Sequence, residues 1–291
     1  MTGEARDLDG RSLLAVFAHP DDESLACGGL LAWCAARGAR VSLLCLSRGE
    51  AGSASATSAR EASRPDSAAS RSASRTDPVD TRNSAGLGDL RAAELHEAAA
   101  ALGLAEVTVL RHPDGMLPWL EPGTLARDIQ AAIAAGRPDV VVTFGEDGLY
   151  WHPDHIAVHD ATRAVVATLG ANAPALYYVT MPPGQMQAVL AAAAPRLTPS
   201  SPRDLLGIAD AAAFGAHALP PTLVLHTGAF AARKLAALRC HRTQVAGGPF
   251  DQLSAAEAET LLGVEHYRRA DVGSQAPTFI ERLAAPPLEI S

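Results

Sequence analysis

Short apolar runs alternate with alanine- and leucine-rich stretches along this chain, and the alternation limits the folds open to it. "SLLAVFA" (12–18), "RVSLLCLS" (40–47), "EVTVLR" (106–111), "PDVVVTFG" (138–145), "ALYYVT" (175–180) and "TLVLHTG" (222–228) read as strands, the first of them buried. The spacing predicts helices near 24–37, 88–102, 123–136 and 154–169, each ending near a turn signal such as "ARGAR", "LGL" or "AAGRPD". Another helix is expected from about 229 to 243, and the tail "SAAEAETLLGVEHYRRADV" reads as a helix running into a polar, partly aromatic turn. Strand, helix, strand at this spacing implies βαβ units. The expected fold is α/β and Rossmann-like, with a mostly parallel sheet and helices on both faces. Such sheets bind ligands beyond the carboxyl ends of their strands.

At 291 residues and 48% hydrophobic content the chain can bury a sizeable core, and one domain over 1–291 is expected. Two segments interrupt the pattern. The stretch 51–88 is rich in Ser, Ala and Arg and almost lacks large apolar residues. It cannot bury enough surface to offset its ordering entropy, so it reads as a mostly disordered insertion. The segment 181–221, with "MPPG", "APRLTPSSPRD" and "ALPPT", reads as an irregular cap in which no function is legible. A formal charge of −8 argues against nucleic acid and anionic membrane surfaces as partners. No apolar run reaches membrane-spanning length. The four cysteines form no CxxC, and "MTGEARDLDGR" is too polar for a signal peptide, so a soluble, cytoplasmic protein is expected. Among the 24 basic residues only Lys234 is a lysine.

Chemistry is concentrated in two clusters. "AHPDDE" (18–23) follows the first apolar run and "EDGLYWHPDHIAVH" (146–159) follows the fourth, and each opens a helix. Clustered acids beside histidine repel one another unless a cation sits among them. Two such clusters in equivalent topological positions point to a metal site rather than to two solvated turns. Histidine and aspartate suit Zn²⁺, with Fe²⁺ or another divalent ion as the alternative occupant. His19 and Asp22, three residues apart, can both turn inward, and His155 would supply a third ligand. That leaves Asp21 beside the metal as a general base and His152 to stabilise an oxyanion or protonate a leaving amine.

These motifs resemble the PIG-L/LmbE family of zinc-dependent N-deacetylases, which act on N-acetylglucosaminyl compounds. The resemblance extends through "LSRGEAG" (46–52), "LRAAEL" (90–95), "HPDGML" (112–117) and "KLAALRCHRTQ" (234–244). It implies an LmbE-like fold, zinc on His19, Asp22 and His155, Asp21 as general base and His152 as its electrostatic partner. Tyr150 matches a tyrosine that swings over the acyl oxygen, and Arg91 and Asp114 match positions that contact the polar groups of the substrate. Arg48 is expected to face the pocket. Glu50 reads as structural, Asp154 as orienting its own loop, and His241 and Gln244 carry no assigned role. Trp151 departs from the family, where glycine is common. The implied partner is a small amino-sugar conjugate, and a homo-oligomer is compatible with the pattern.

Other readings compete. An amidase acting on a larger thiol-conjugate amide would use the same constellation, and a relative that only binds metal would retain its ligands. Such a relative would not need Asp21 and His152. Two histidines and a carboxylate also form the facial triad of Fe(II) oxygenases, but those typically sit on antiparallel barrels. A dinucleotide-binding protein would want GxGxxG after the first strand, where this chain places charge.

Overall fold

The apolar runs pair edge to edge. In the computed structural model, which describes residues 7–52 and 81–284, β1 (Ser12–Phe17), β2 (Arg40–Ser47), β3 (Glu106–His112), β4 (Val140–Phe144) and β5 (Ala175–Thr180) run parallel. Two antiparallel strands, β6 (Leu223–His226) and β7 (Val264–Gly273), complete a seven-stranded sheet of order β3-β2-β1-β4-β5-β7-β6. Leu14 sets the central register, opposite Ser42 on one side and Val141 on the other. β4 is buried throughout, whereas the edge strand β3 is half-exposed, as expected when helices cover both faces of the centre.

Seven helices carry the argument: α1 (Asp22–Ala36), α2 (Thr81–Leu102), α3 (Thr124–Gly136), α4 (Pro153–Thr168), α5 (Gln185–Ala193), α6 (Ala231–Cys240) and α7 (Ala255–Leu262). α1, α2 and α6 pack together on one side, and α3 packs on α4 on the other. In α3 the buried residues Leu125, Ile129 and Ile133 recur every four positions, the stripe that a helix lays on a sheet. Among the described residues no helix is long and apolar enough to cross a membrane.

Two expectations need correction. The tail does not run from helix into turn: after α7 it becomes β7, wedged between β5 and β6. Its inward positions include Glu265 beside Tyr267, so a charge hides the alternation that normally marks a strand. The segment expected to be disordered from 51 to 88 is helical from Thr81 onward. There Gly88 is a close approach rather than a helix breaker, since a Cβ would lie 3.1 Å from Glu50 and 3.3 Å from Arg48. Positions 53–80 lie outside the described residues.

Glu265 also explains a break in α1. Backbone angles at Cys27 are non-helical (φ −144°, ψ 18°), which frees the amides that follow. Glu265 takes them both, accepting from Gly29 N–H and Leu30 N–H at 2.8 Å each. The same carboxylate pairs with Lys234 of α6 at 2.6 Å and accepts from Tyr267 Oη–H at 2.7 Å, so the buried charge is fully partnered. α1 is thereby fixed to α6 and β7 behind the loop that its first turn presents.

Candidate active site

The strand order reverses between β1 and β4, which opens a crevice at their carboxyl ends. β1 delivers His19 to Glu23 there, β4 delivers Asp147 to His155, and the loop after β3 delivers Asp114. Pro153 stands at the first position of α4, where its missing N–H costs nothing. His152 caps that helix: its Nδ1 accepts the Asp154 N–H at 3.2 Å. A neutral His152 therefore carries its proton on Nε2 and offers a donor.

Three donor groups converge. His19 Nδ1 lies 3.2 Å from His155 Nε2 and 3.4 Å from Asp22 Oδ2, and His155 Nε2 lies 3.2 Å from Asp22 Oδ1. Donors about 2.0–2.1 Å from a tetrahedral zinc are themselves about 3.4 Å apart, so this spacing fits a divalent ion. The outward nitrogens are held as ligands require. His155 Nδ1 donates to Gly148 O at 3.0 Å. His19 Nε2 faces Asp114 Oδ1 at 2.9 Å and Asp154 Oδ2 at 3.1 Å. His152 brings a further ring nitrogen within 4.8 Å of those of His19 and His155. The electrostatics agree. Burial alone would lower the pKa of His19, yet hydrogen bonds from its ring to the carboxylates of Asp114, Asp154 and Asp22 raise it well above the ordinary value. Burial alone would raise that of Asp22, yet His155 and His19 hold it well below. The carboxylates call for a cation.

Beside this cluster is a cavity of 170 Å³ with a polar wall of His19, Asp21, Arg91, Asp114, Tyr150 and His152. A larger hollow of 360 Å³ lies under α3 among Ser12, Arg40 and Pro138 at the opposite ends of the strands, away from both motifs. Burial pushes the Asp21 carboxyl up to about 7 against the pull of Arg91, whose Nη2 sits 2.9 Å from Oδ2. Burial and the charges of His155 and His19 bring His152 down to about 4. Burial and the charges of Asp22 and Asp21 raise Tyr150 well above its usual range, so its hydroxyl stays a donor. Four of the five described non-glycine residues with positive φ belong to this region: Asp21 (116°), Leu149 (66°), Trp151 (64°) and Leu206 (56°). Strain of this kind collects where structure over-determines a site.

The residues expected to touch substrate are otherwise engaged. Arg91 is buried and donates to Gly49 O at 2.7 Å and Pro20 O at 2.8 Å besides Asp21. Asp114 contacts His19 through one oxygen and accepts Ala51 N–H at 2.9 Å through the other. Both still line the cavity. Arg48 does not: it pairs with Asp89 of α2, drawn there by the carboxylate one residue beyond Gly88. Glu50 accepts Asp114 N–H at 3.0 Å and so holds that loop.

Asp154 has a reach that its position in the sequence concealed. Besides His19 it accepts Gly115 N–H at 2.8 Å and Leu117 N–H at 3.1 Å, tying α4 to the loop after β3. Behind Asp21, Glu23 accepts Asp21 N–H at 3.1 Å and meets His241 Nε2 at 2.9 Å. The buried aspartate-rich motif itself signalled Glu23, but not its distant partner. Leu206, Gly207, Ile208 and Gln244 also line the cavity. No signal in the irregular segment pointed to the first three.

Comparison with known proteins adds independent findings. The family described as "PIG-L: GlcNAc-PI de-N-acetylase" matches residues 14–166. A 1D-myo-inositol 2-acetamido-2-deoxy-alpha-D-glucopyranoside deacetylase from Thermomonospora curvata is 33% identical over 93% of this chain and 94% of its own. Among solved structures, N,N'-diacetylchitobiose deacetylase from Pyrococcus horikoshii superposes with a TM-score of 0.58 at 16% identity, covering 89% of this chain and 84% of that one. A 4-carboxy-2-hydroxymuconate hydratase from Pseudomonas putida reaches 0.56 at 17% identity, over 92% and 99%. These two likenesses concern the fold alone.

Proposed function

Because this chain belongs to the PIG-L family of de-N-acetylases, we propose that it hydrolyses the acetamide of an N-acetylglucosaminyl conjugate with a divalent metal held by His19, Asp22 and His155. The observation that carries the reading is the convergence of those three donors, 3.2–3.4 Å apart, beside an unliganded carboxylate and a donor histidine. Zinc in this position supplies Lewis acidity towards the acetamide oxygen and towards water.

The rest is work for side chains. Asp21 takes the proton of the attacking water, a role that suits a carboxyl raised to about 7. Arg91 fixes the Asp21 carboxylate by a hydrogen bond to Oδ2, leaving Oδ1 for the proton. His152 Nε2–H and the Tyr150 hydroxyl, both on the cavity wall, stabilise the negative oxygen that develops on the tetrahedral carbon. Proton return to the departing amine falls to Asp21. Products are acetate and a glucosaminyl conjugate. Four free cysteines support a reducing compartment, and so the cytoplasm, as the place of reaction.

The test is acetate release from a panel of N-acetylglucosaminides, with bound metal quantified in the same preparation. Release that is lost on chelation and restored by Zn²⁺ is expected. Acetate release unaffected by stripping the metal would overturn the mechanism.

A further inference from the structure

The roof of the cavity has no part in the chemistry above. Leu205 N–H donates to Ile208 O at 3.0 Å and Ile208 N–H to Leu205 O at 3.1 Å, closing a two-residue hairpin turn. Its central residues, Leu206 and Gly207, have φ of 56° and 83°, the left-handed pair that a type I′ turn requires. Asp204 Oδ1 accepts Gly207 N–H at 2.9 Å and tightens it. Asparagine before glycine would make this turn with less strain, because a leucine Cβ crowds the backbone at positive φ. The turn geometry itself does not call for a leucine; Leu206 and Ile208 rest partly against the hydrophobic core and also line the cavity. Both are half-buried and share the cavity with a wall that is mostly polar.

The turn is also anchored. Downstream, Gly215 N–H donates to Leu149 O at 2.8 Å, and the Phe214 ring lies 4.8 Å from that of Tyr150. A Cβ on Gly215 would stand 2.1 Å from Met181 O, so the chain here is seated directly on the end of β5. Arg91, the one arginine among the described lining residues, is engaged by two carbonyls and Asp21, and so is poorly placed to receive an anionic aglycone.

We infer that Leu206 is a specificity-determining residue that packs on an apolar face of the group attached to the glucosaminyl ring. The enzyme then selects neutral aglycones with an alkyl or aryl surface over anionic ones. This inference rests on the de-N-acetylase reading for its reaction but not for its geometry. Its test compares kcat/KM for acetate release from phenyl and octyl N-acetylglucosaminides with that from an N-acetylglucosaminide whose alkyl chain ends in carboxylate. Dissociation constants of the same compounds are measured in parallel. The wild-type chain should favour the neutral glycosides by about 10-fold or more, the scale of one well-filled apolar contact. Leu206→Asn, which tolerates positive φ but gives up the contact with the core, should remain folded and collapse that ratio, whereas Leu206→Met should preserve it. An unchanged ratio in Leu206→Asn, or an equal loss for all the glycosides, would overturn the assignment. Binding that shows the Leu206-dependent ratio without any acetate release would support the roof and overturn the de-N-acetylase reading instead.

Discussion

Asp21 combines three features that seldom meet in one residue: a φ of 116°, almost complete burial, and a direct contact with a buried arginine. It is held off the donor cluster while its neighbour Asp22 joins it. Asp21→Asn keeps the shape of the side chain and leaves His19, Asp22 and His155 intact, so metal content should be retained. Turnover should fall by about 10²-fold or more, the contribution of a general base. Parallel metal analysis and acetate assay check both halves, and loss of metal would mean that the two aspartates have exchanged roles. Trp151 makes the opposite case. Its φ is 64°, the residue is 56% exposed, and its ring meets that of His217 edge-on at 5.5 Å between centroids. Relief of left-handed strain should outweigh that contact, so Trp151→Gly is expected to stabilise the protein by about 1 kcal/mol in urea unfolding.

At the scale of elements, Asp154 is the point where α4 meets the loop after β3, and it bonds to His19 from there. In Asp154→Asn the amide cannot accept from all three donors. Metal affinity should drop about 10- to 100-fold, the usual effect of losing a partner that orients a ligand histidine. Competition with a chromophoric chelator measures it, and unchanged affinity would reduce Asp154 to a loop anchor. This partnership was illegible in the sequence, since nothing in "HPDH" says that its aspartate reaches the histidine of another loop. The same holds for Arg91 and Asp114, for which the family resemblance implied substrate contacts and whose partners lie on separate loops. The central parallel strands, by contrast, were plain, because burial on both faces makes each a continuous apolar run. β7 escaped notice because its buried positions hold Glu265 and Tyr267, partnered by residues far away in the chain. Where stability depends on long-range polar pairing, local hydropathy has little to report.

Over the whole molecule, that pairing determines what α1 can present at the crevice. Lys234 and Glu265 are 3% exposed each and join α6, β7 and the broken middle of α1. Lys234→Met removes one charge and leaves the other buried, for an expected loss of about 3 kcal/mol in unfolding free energy. Adding Glu265→Gln should recover part of that loss, and equal stability of the single variant and wild type would show the pair to be dispensable. The arrangement has a practical corollary. Lys234 is the only lysine in the chain, so the native surface offers no ε-amine to an acylating reagent, a cross-linker or an amine-coupled sensor chip. Label appearing on Lys234 records an event, the parting of α6 from β7, and the rate of labelling makes this single residue a built-in clock for how often the protein opens.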